Sequence, residues 1–415
     1  MKRKIFLTLM SNILILSAIL SFLPLKVGAT SSMKIIGYVA GDDPHGYINS
    51  LEYTKYTHII FCQIGVTSST DPTLVYRAGN STSLKSFKTK AQAAGCKFMV
   101  CLIGGNWGQE SYPYPLTAIM NNSTYRAQLA TNLANFVAAN GLDGVDIDWE
   151  DDNIVQANYN SFLSSLRSAL PAGKIISVCG TAEWANPSNQ WFSVSAVNTY
   201  VDFVNLMMYG THPYPEWSKL ADAETYTQEW LNAGFNPAQL LLGITTQAID
   251  STRKATDYSN VVANLNPTND VDSYTQTPPW SCGSFTVGGT GELWWGGYNL
   301  AQSKADYASS KNLGGIALYV ANEDACGNVK SLIDAVVQGG INGNTPPPPV
   351  QSNPAQSNFG YGSTGVYNNG DTNCMFFSSD MPSSNGVATS VTVYVANYGA
   401  NAKVKCAYTM PLLWH

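Results

Sequence analysis

Short apolar runs alternate with segments of helical period across most of the first 340 residues. The runs fall at 34–40, 57–66, 97–104, 141–150, 174–179, 201–209, 239–244 and 314–320. Each is of strand length and mostly apolar, the pattern of strands covered on both faces. Between them, 124–140, 154–170, 225–234 and 300–311 carry apolar residues at three- and four-residue spacing. Strands alternating with helices predict a parallel sheet of the α/β class, and eight such units predict a closed barrel. The alternative is a doubly wound open sheet. It is disfavoured because no Gly-rich phosphate loop follows the first strand.

The pattern breaks in three places. The connection 250–298 is too long for a structureless loop and is rich in Thr, Gly and aromatics, so it predicts a small hairpin-containing insertion on the barrel rim. The stretch 342–358 holds four consecutive prolines, Pro346 to Pro349, and then polar residues, which predicts a stiff linker. Beyond it, 359–415 turns strand-like, with Val391, Val393 and Val395 alternating. So few residues make a marginal core, and an incomplete β-sandwich accessory module is expected there. A barrel domain is thus expected over 33–341.

The first 29 residues read as a secretory signal. Met1-Lys2-Arg3-Lys4 is basic, 5–25 is apolar, and Val27-Gly28-Ala29 fits a small-residue cleavage site. The expected product is secreted and extracellular, with no membrane attachment after cleavage. An uncleaved anchor is the alternative. The 8 cysteines form no C-x-x-C pair, which argues against structural zinc. Cys62, Cys101 and Cys179 fall inside apolar runs and are expected as buried small hydrophobes, whereas Cys282 with Cys326, and Cys374 with Cys406, are candidate disulfides.

A net charge of −6 without long runs of either sign gives no reason to expect nucleic acid as a partner. With only 12% charged residues but 23 Tyr and 10 Trp, the composition suits an uncharged ligand held by aromatic faces. A monomer is expected, with no cofactor and no metal.

The chemistry concentrates in Gly141-Leu142-Asp143-Gly144-Val145-Asp146-Ile147-Asp148-Trp149-Glu150. Alternation along a strand puts Asp146, Asp148 and Glu150 on one face and Val145, Ile147 and Trp149 on the other. Three carboxyls on a covered face repel one another, so at least one is expected to keep its proton near neutral pH. A protonated acid beside ionised ones is the equipment of glycoside cleavage. In a parallel barrel chemistry sits at the C-terminal strand ends, which puts Glu150 outermost and Asp148 and Asp146 deeper. A solvated edge strand, a carboxylate metal site and a structural acid network are the competing explanations.

Asp143-Gly144-Val145-Asp146-Ile147-Asp148-Trp149-Glu150 matches the DGxDxDxE signature of the family 18 glycoside hydrolases, the chitinase family. The resemblance extends over most of 34–325, through KFMVCLIGG at 97–105, YVDFVNLMMYG at 200–210 and LAQSKADYASSKNLGGIALY at 300–319. It implies a (β/α)8 TIM barrel and a retaining mechanism in which the substrate's own 2-acetamido group is the nucleophile. Carried over residue by residue, it implies Glu150 as general acid and Asp148 as the partner of the acetamido N–H. Asp146 would share a proton with Asp148, Tyr209 would donate to the acetamido carbonyl, and Met207 would wall the pocket. The substrate would be chitin, its N-acetylglucosamine oligomers or the chitobiose core of N-glycans.

Three positions depart from the family pattern: Leu102 for a Ser, Gly210 for the Asp after Tyr209, and Tyr319 for a Trp under the cleavage subsite. Tyr keeps an aromatic face with less stacking area. Tyr38 and Trp107 are further substrate-binding candidates. Trp184, Trp217, Trp280, Trp294 and Trp295 are candidates to line the groove, and His45 and His212 are expected as loop surface residues. Two other functions stay open: a chitin-binding lectin that has lost catalysis, and an endo-β-N-acetylglucosaminidase on glycoprotein glycans.

Overall fold

The computed structural model describes residues 33–43, 46–105, 116–151, 153–210, 218–267 and 273–341. The signal, linker and C-terminal module, together with Trp107, Trp217, His45 and His212, lie outside the described residues.

The strands come in the order β1 Lys34–Ala40, β2 His58–Ser68, β3 Asp71–Tyr76, β4 Lys97–Gly105, β5 Gly144–Glu150, β6 Ile175–Thr181, β7 Phe203–Met207 and β8 Leu240–Thr245. After β8 come the short strands β9 Gln247–Asp250, β10 Ala255–Asp257, β11 Ser273–Thr275, β12 Trp280–Cys282, β13 Phe285–Val287 and β14 Glu292–Trp294, and finally β15 Gly315–Tyr319. Eight of them (β1, β2, β4 to β8 and β15) pair in parallel as β1-β15-β8-β7-β6-β5-β4-β2, and β1 pairs with β2 to close the ring. This is a (β/α)8 barrel, and each of the eight runs read from the sequence supplies one of its strands.

The helices pack outside: α1 Ser81–Ala93, α2 Leu116–Asn121, α3 Ser123–Ala139, α4 Gln156–Ala169, α5 Val194–Tyr200, α6 Leu220–Ala233, α7 Tyr258–Leu265, α8 Tyr298–Ser310 and α9 Leu332–Val336. Their boundaries have local causes. Asn80 caps α1 by accepting from the Thr82 and Ser83 amides, and Asn122 does the same for α3 through Thr124 and Tyr125. Gly234 ends α6 at φ 97°, a left-handed conformation that glycine takes without penalty.

Val145, Ile147 and Trp149 of β5 join the large outer core between strands and helices, whereas Tyr38, Cys101, Cys179, Phe203 and Tyr319 belong to a second, inner cluster. Phe203 and Leu241 belong to the apolar part of that interior, and the polar side chains gather towards the C-terminal strand ends.

Two features were not read from the sequence. β2 runs past the barrel to Ser68 and folds back through β3, which pairs with it antiparallel. The 250–298 connection holds more than a hairpin. β9, β10, β11 and β14 form a four-stranded antiparallel sheet in the order β10-β9-β14-β11, beside the β12–β13 hairpin. Trp280, Leu293 and Trp294 are buried there.

The Cys282–Cys326 disulfide does not form, because both thiols are free. Cys282 is buried in β12 and donates to the Asn260 carbonyl, while the Cys326 thiol turns to the Ala321 carbonyl. No helix among the described residues is long and apolar enough to cross a membrane.

Candidate active site

β5 carries the site because its register with both neighbours is tight. Asp146 lies opposite Cys101 of β4 and Ser177 of β6, and Asp148 and Glu150 follow at two-residue intervals on the same inward face. Gly144 makes this register possible. A Cβ there would stand 2.3 Å from the Ile175 carbonyl oxygen, so only glycine allows β5 and β6 to approach at the motif's first turn. Gly104, where β4 ends, is held the same way, since a Cβ would meet Leu116 at 2.2 Å.

Asp146 is fully buried, and both its oxygens are occupied. Ser177 and Asn205 donate to Oδ1, at 2.5 and 3.2 Å, and the Tyr38 hydroxyl donates to Oδ2 at 2.9 Å, with the Cys179 thiol at 3.6 Å. Burial pushes the Asp146 carboxyl up, and the hydrogen bonds from Ser177, Tyr38 and Cys179 oppose that rise. Asn205 also donates to the Tyr38 hydroxyl, at 2.5 Å, which closes a ring of polar contacts between β1, β5, β6 and β7.

Asp148 and Glu150 form a second unit above this ring. Burial first, then the charge of Asp146, raises Asp148 to about 6. Burial and the neighbouring Asp148 carboxyl raise Glu150 well above the usual carboxylate range, and the two side chains hydrogen-bond to each other. Such a pair near neutral pH holds one proton, and its two titration steps belong to the pair. Asp148 is hydrogen-bonded to Glu150 and feels Asp146 through its charge, while Asp146 accepts from four donors of its own. Asp148 Oδ1 and Glu150 Oε1 are buried with no hydrogen-bond partner. Buried orphan acceptors are rare, and two side by side mark where a ligand's donors belong.

Tyrosines surround the carboxyls. Tyr209 and Tyr319 stack with ring centroids 6.2 Å apart and an interplanar angle of 15°, and Tyr38 meets Tyr319 edge-on at 6.0 Å. Burial holds the phenols of Tyr209 and Tyr319 well above their ordinary range, so both stay neutral donors. Met207, half-buried at the end of β7, packs against the inner cluster beside them. Tyr38, Asp146, Asp148, Glu150, Met207, Tyr209 and Tyr319 are thus brought together at one end of the barrel.

Several other candidates are not. Trp184 is buried outside the barrel against Trp230, Phe192 and Phe235. Trp280, Trp294 and Trp295 are buried as well, with Trp280 meeting Tyr274 edge-on inside the antiparallel insertion. The indole faces of Trp184 and Trp280 are used in packing, which a count of tryptophans cannot reveal.

Ser177, Cys179 and Asn205 are the functional residues that sequence reasoning missed. Their signal was alternation: in 203–209, Phe203, Asn205, Met207 and Tyr209 share one face, and Asn205 is the polar residue on it below Tyr209. Among the described residues, no group of three or more His, Cys, Asp and Glu side chains is placed to hold a metal.

The family model for glycosyl hydrolases family 18 matches residues 34–324. The chain belongs to that family. Its fold resembles those of the family 18 chitinase ChiB from Flavobacterium johnsoniae (TM-score 0.61, 19% identity, 75% of this chain and 95% of that one) and of a chitinase from Bacteroides thetaiotaomicron (TM-score 0.63, 19% identity, 76% and 98%). It also resembles a plant class V chitinase mutant from Cycas revoluta, solved in complex with (GlcNAc)3 (TM-score 0.61, 15% identity, 74% and 99%).

Among curated proteins it is 27% identical over 181 residues to the secreted chitinase LysM12 of Penicillium expansum, covering 40% of this chain and 11% of that one. A chitinase-like effector of Moniliophthora perniciosa is 27% identical over 205 residues, 46% of this chain and 45% of that one. The chain spans about a tenth of the length of the first curated relatives it matches.

Proposed function

We propose that this family 18 protein is a secreted hydrolase that cuts β-1,4 bonds between N-acetylglucosamine units of chitin or its oligomers, by substrate-assisted retaining catalysis. The observation that carries the proposal is the Asp148–Glu150 pair. It shares a hydrogen bond, is shifted upward by burial, and presents two orphan acceptors in the same interior as the stacked Tyr209 and Tyr319.

The chemistry follows from the order of the groups. Glu150, kept protonated by its surroundings, gives its proton to the glycosidic oxygen as the bond to the anomeric carbon breaks. The carbonyl oxygen of the substrate's 2-acetamido group forms the new bond to that carbon, giving an oxazolinium ion, and the leaving sugar departs as an alcohol. Asp148 accepts the acetamido N–H on its free Oδ1 and offsets the developing positive charge. The Tyr209 hydroxyl donates to the acetamido oxygen. Glu150, now a carboxylate, takes a proton from water as that water adds to the anomeric carbon. The ring opens with retention, and Glu150 is protonated again.

Asp146 in this scheme is an anchored carboxyl beneath the acting pair. Its donors from Tyr38, Ser177, Cys179 and Asn205 hold it still, and its charge is the second cause of the raised Asp148 carboxyl. Tyr319 and Tyr38 supply the floor for the sugar whose acetamido group reacts.

The test is sugar release from N-acetylglucosamine oligomers by the wild type and by Glu150→Gln, with binding measured for both. Release by the wild type that nearly vanishes in the variant while binding persists supports the proposal. Binding without release by the wild type replaces it with the lectin reading. Release from high-mannose glycopeptides but not from chitin oligomers replaces it with the glycan-directed one.

A further inference from the structure

Lys304 sits on α8, outside the barrel wall, and is completely buried. Its ammonium donates to the Met208 carbonyl at 2.9 Å and to the Ser218 hydroxyl at 2.7 Å, and that hydroxyl in turn donates to the same carbonyl at 3.3 Å. No carboxylate among the described residues forms an ion pair with it. Asp222 on α6 is the charge that acts on it, and burial outweighs Asp222 to bring Lys304 down to about 7. A buried ammonium without an ion-pair partner costs stability, so the fold gains little from keeping it there. Nor does Lys304 act on the acid pair, whose shifts come from burial, from each other and, for Asp148, from Asp146, with a thiol contact from Cys179.

What Lys304 holds is the backbone immediately before Tyr209. β7 ends in a tight turn in which the Met208 amide donates to the Leu206 carbonyl at 2.9 Å. Such a turn at a strand end redirects the next residue. On the strand side, Gly243 leaves room for the Tyr209 ring, since a Cβ there would stand 3.0 Å from its Cε1 and 2.2 Å from the Leu206 carbonyl. The peptide between Met208 and Tyr209 is thus gripped at its carbonyl by Lys304, and the ring is seated over a bare backbone.

We propose that Lys304 is a positioning residue for the reaction: by fixing the Met208 carbonyl it fixes the direction of the Tyr209 side chain over Asp148 and Glu150. The inference rests on the reading that Tyr209 contacts the acetamido group. Its substrate consequence is narrow, because only a sugar unit that carries the acetamido carbonyl benefits from a rigid Tyr209.

The test is a double-mutant cycle on full-length protein, with kcat and KM on N-acetylglucosamine oligomers and the melting temperature of each variant. Lys304→Met keeps the length of the side chain and removes the donors. The expected result is a fall in kcat of about tenfold to a hundredfold, since small misplacements are costly to catalysis, with a melting temperature equal to or above that of the wild type. In a Tyr209→Phe background the same change should alter kcat by less than about twofold, because the group it positions has gone.

Wild-type kcat in Lys304→Met overturns the inference. So does an equal loss in both backgrounds, or a fall in melting temperature with kcat per folded molecule preserved. Should Lys304→Met not fold, Lys304→Leu, which also removes the donors, is carried through the same cycle and read the same way. If Tyr209→Phe alone retains wild-type kcat, the Tyr209 reading fails and the positioning role fails with it, an outcome distinct from loss in Tyr209→Phe with none in Lys304→Met.

Discussion

Asp148 shares a hydrogen bond with Glu150, and with Asp146 it shares only the repulsion of like charges. Asp146 is committed to donors from three strands, whereas Asp148 and Glu150 are hydrogen-bonded to each other and both raised by burial. Two groupings follow, a lower carboxyl anchored by its donors and an upper pair that shares a hydrogen bond.

Activity should follow a bell in pH. The acidic limb should fall near the value of about 6 at which Asp148 gains a proton, and the alkaline limb where Glu150 loses the proton it must donate, well above the ordinary carboxylate range. Asp148→Asn should cut kcat by about a hundredfold or more and remove the acidic limb from what remains. An unchanged acidic limb in that variant would assign it to another group.

Stability should move the opposite way from the usual carboxylate case. Asp148 and Glu150 titrate in the folded protein above their unfolded values, so the folded state keeps protons that the unfolded chain has released. Their penalty is absent below about pH 4 and grows as pH rises through the folded values. Glu150→Gln should therefore melt a few degrees above the wild type near pH 7. The gap should close near pH 4 in calorimetric scans at the two values.

Asp146→Ala should be far more damaging to the fold than Asp146→Asn. Alanine leaves Tyr38, Ser177, Asn205 and Cys179 without their acceptor, for a loss of about 3 kcal/mol or more in urea unfolding. Asparagine keeps one acceptor oxygen, so most of the stability should remain while the charge beside Asp148 disappears. That carboxyl should then titrate lower, and the acidic limb of the activity profile should move down in pH with it.

Tyr319→Ala should act on binding. The ring stacks on Tyr209 and meets Tyr38 edge-on, and removing such a face loses apolar contact worth about 1.5–3 kcal/mol, which should raise KM by about tenfold or more. Tyr319→Trp restores a larger face and should lower KM relative to alanine. Initial-rate kinetics on N-acetylglucosamine oligomers of increasing length check both.

Gly144→Ala should cost about 2 kcal/mol or more, because the added methyl must push apart two hydrogen-bonded strands at the Ile175 carbonyl. The loss should appear in equilibrium unfolding, with kcat reduced as the carboxyls shift together.

The barrel was legible because its strands are covered on both faces, so their sequence is continuously apolar and their ends are marked by polar residues. The site was legible for a related reason: acids at two-residue spacing inside such a run must share an interior face. β3 escaped because Asp71-Pro72-Thr73 opens it with turn-forming residues and it lies at a sheet edge, where apolar content is not required. Trp184 packs against three aromatic rings because an indole serves packing and ligand stacking equally well, and only tertiary contacts separate the two uses. Lys304 gave no sign at all. A lysine in an amphipathic helix reads as solvent-facing, and its burial depends on a carbonyl and a hydroxyl from a different part of the chain.

The four-stranded sheet after β8 has its own buried residues and hydrogen-bonded ladders, and it joins the barrel between the seventh and eighth parallel strands. It is in effect an exchangeable part. Changes confined to 250–298 therefore fall on a unit with its own ladders and its own packing, and leave the register of β5 and its three carboxyls untouched.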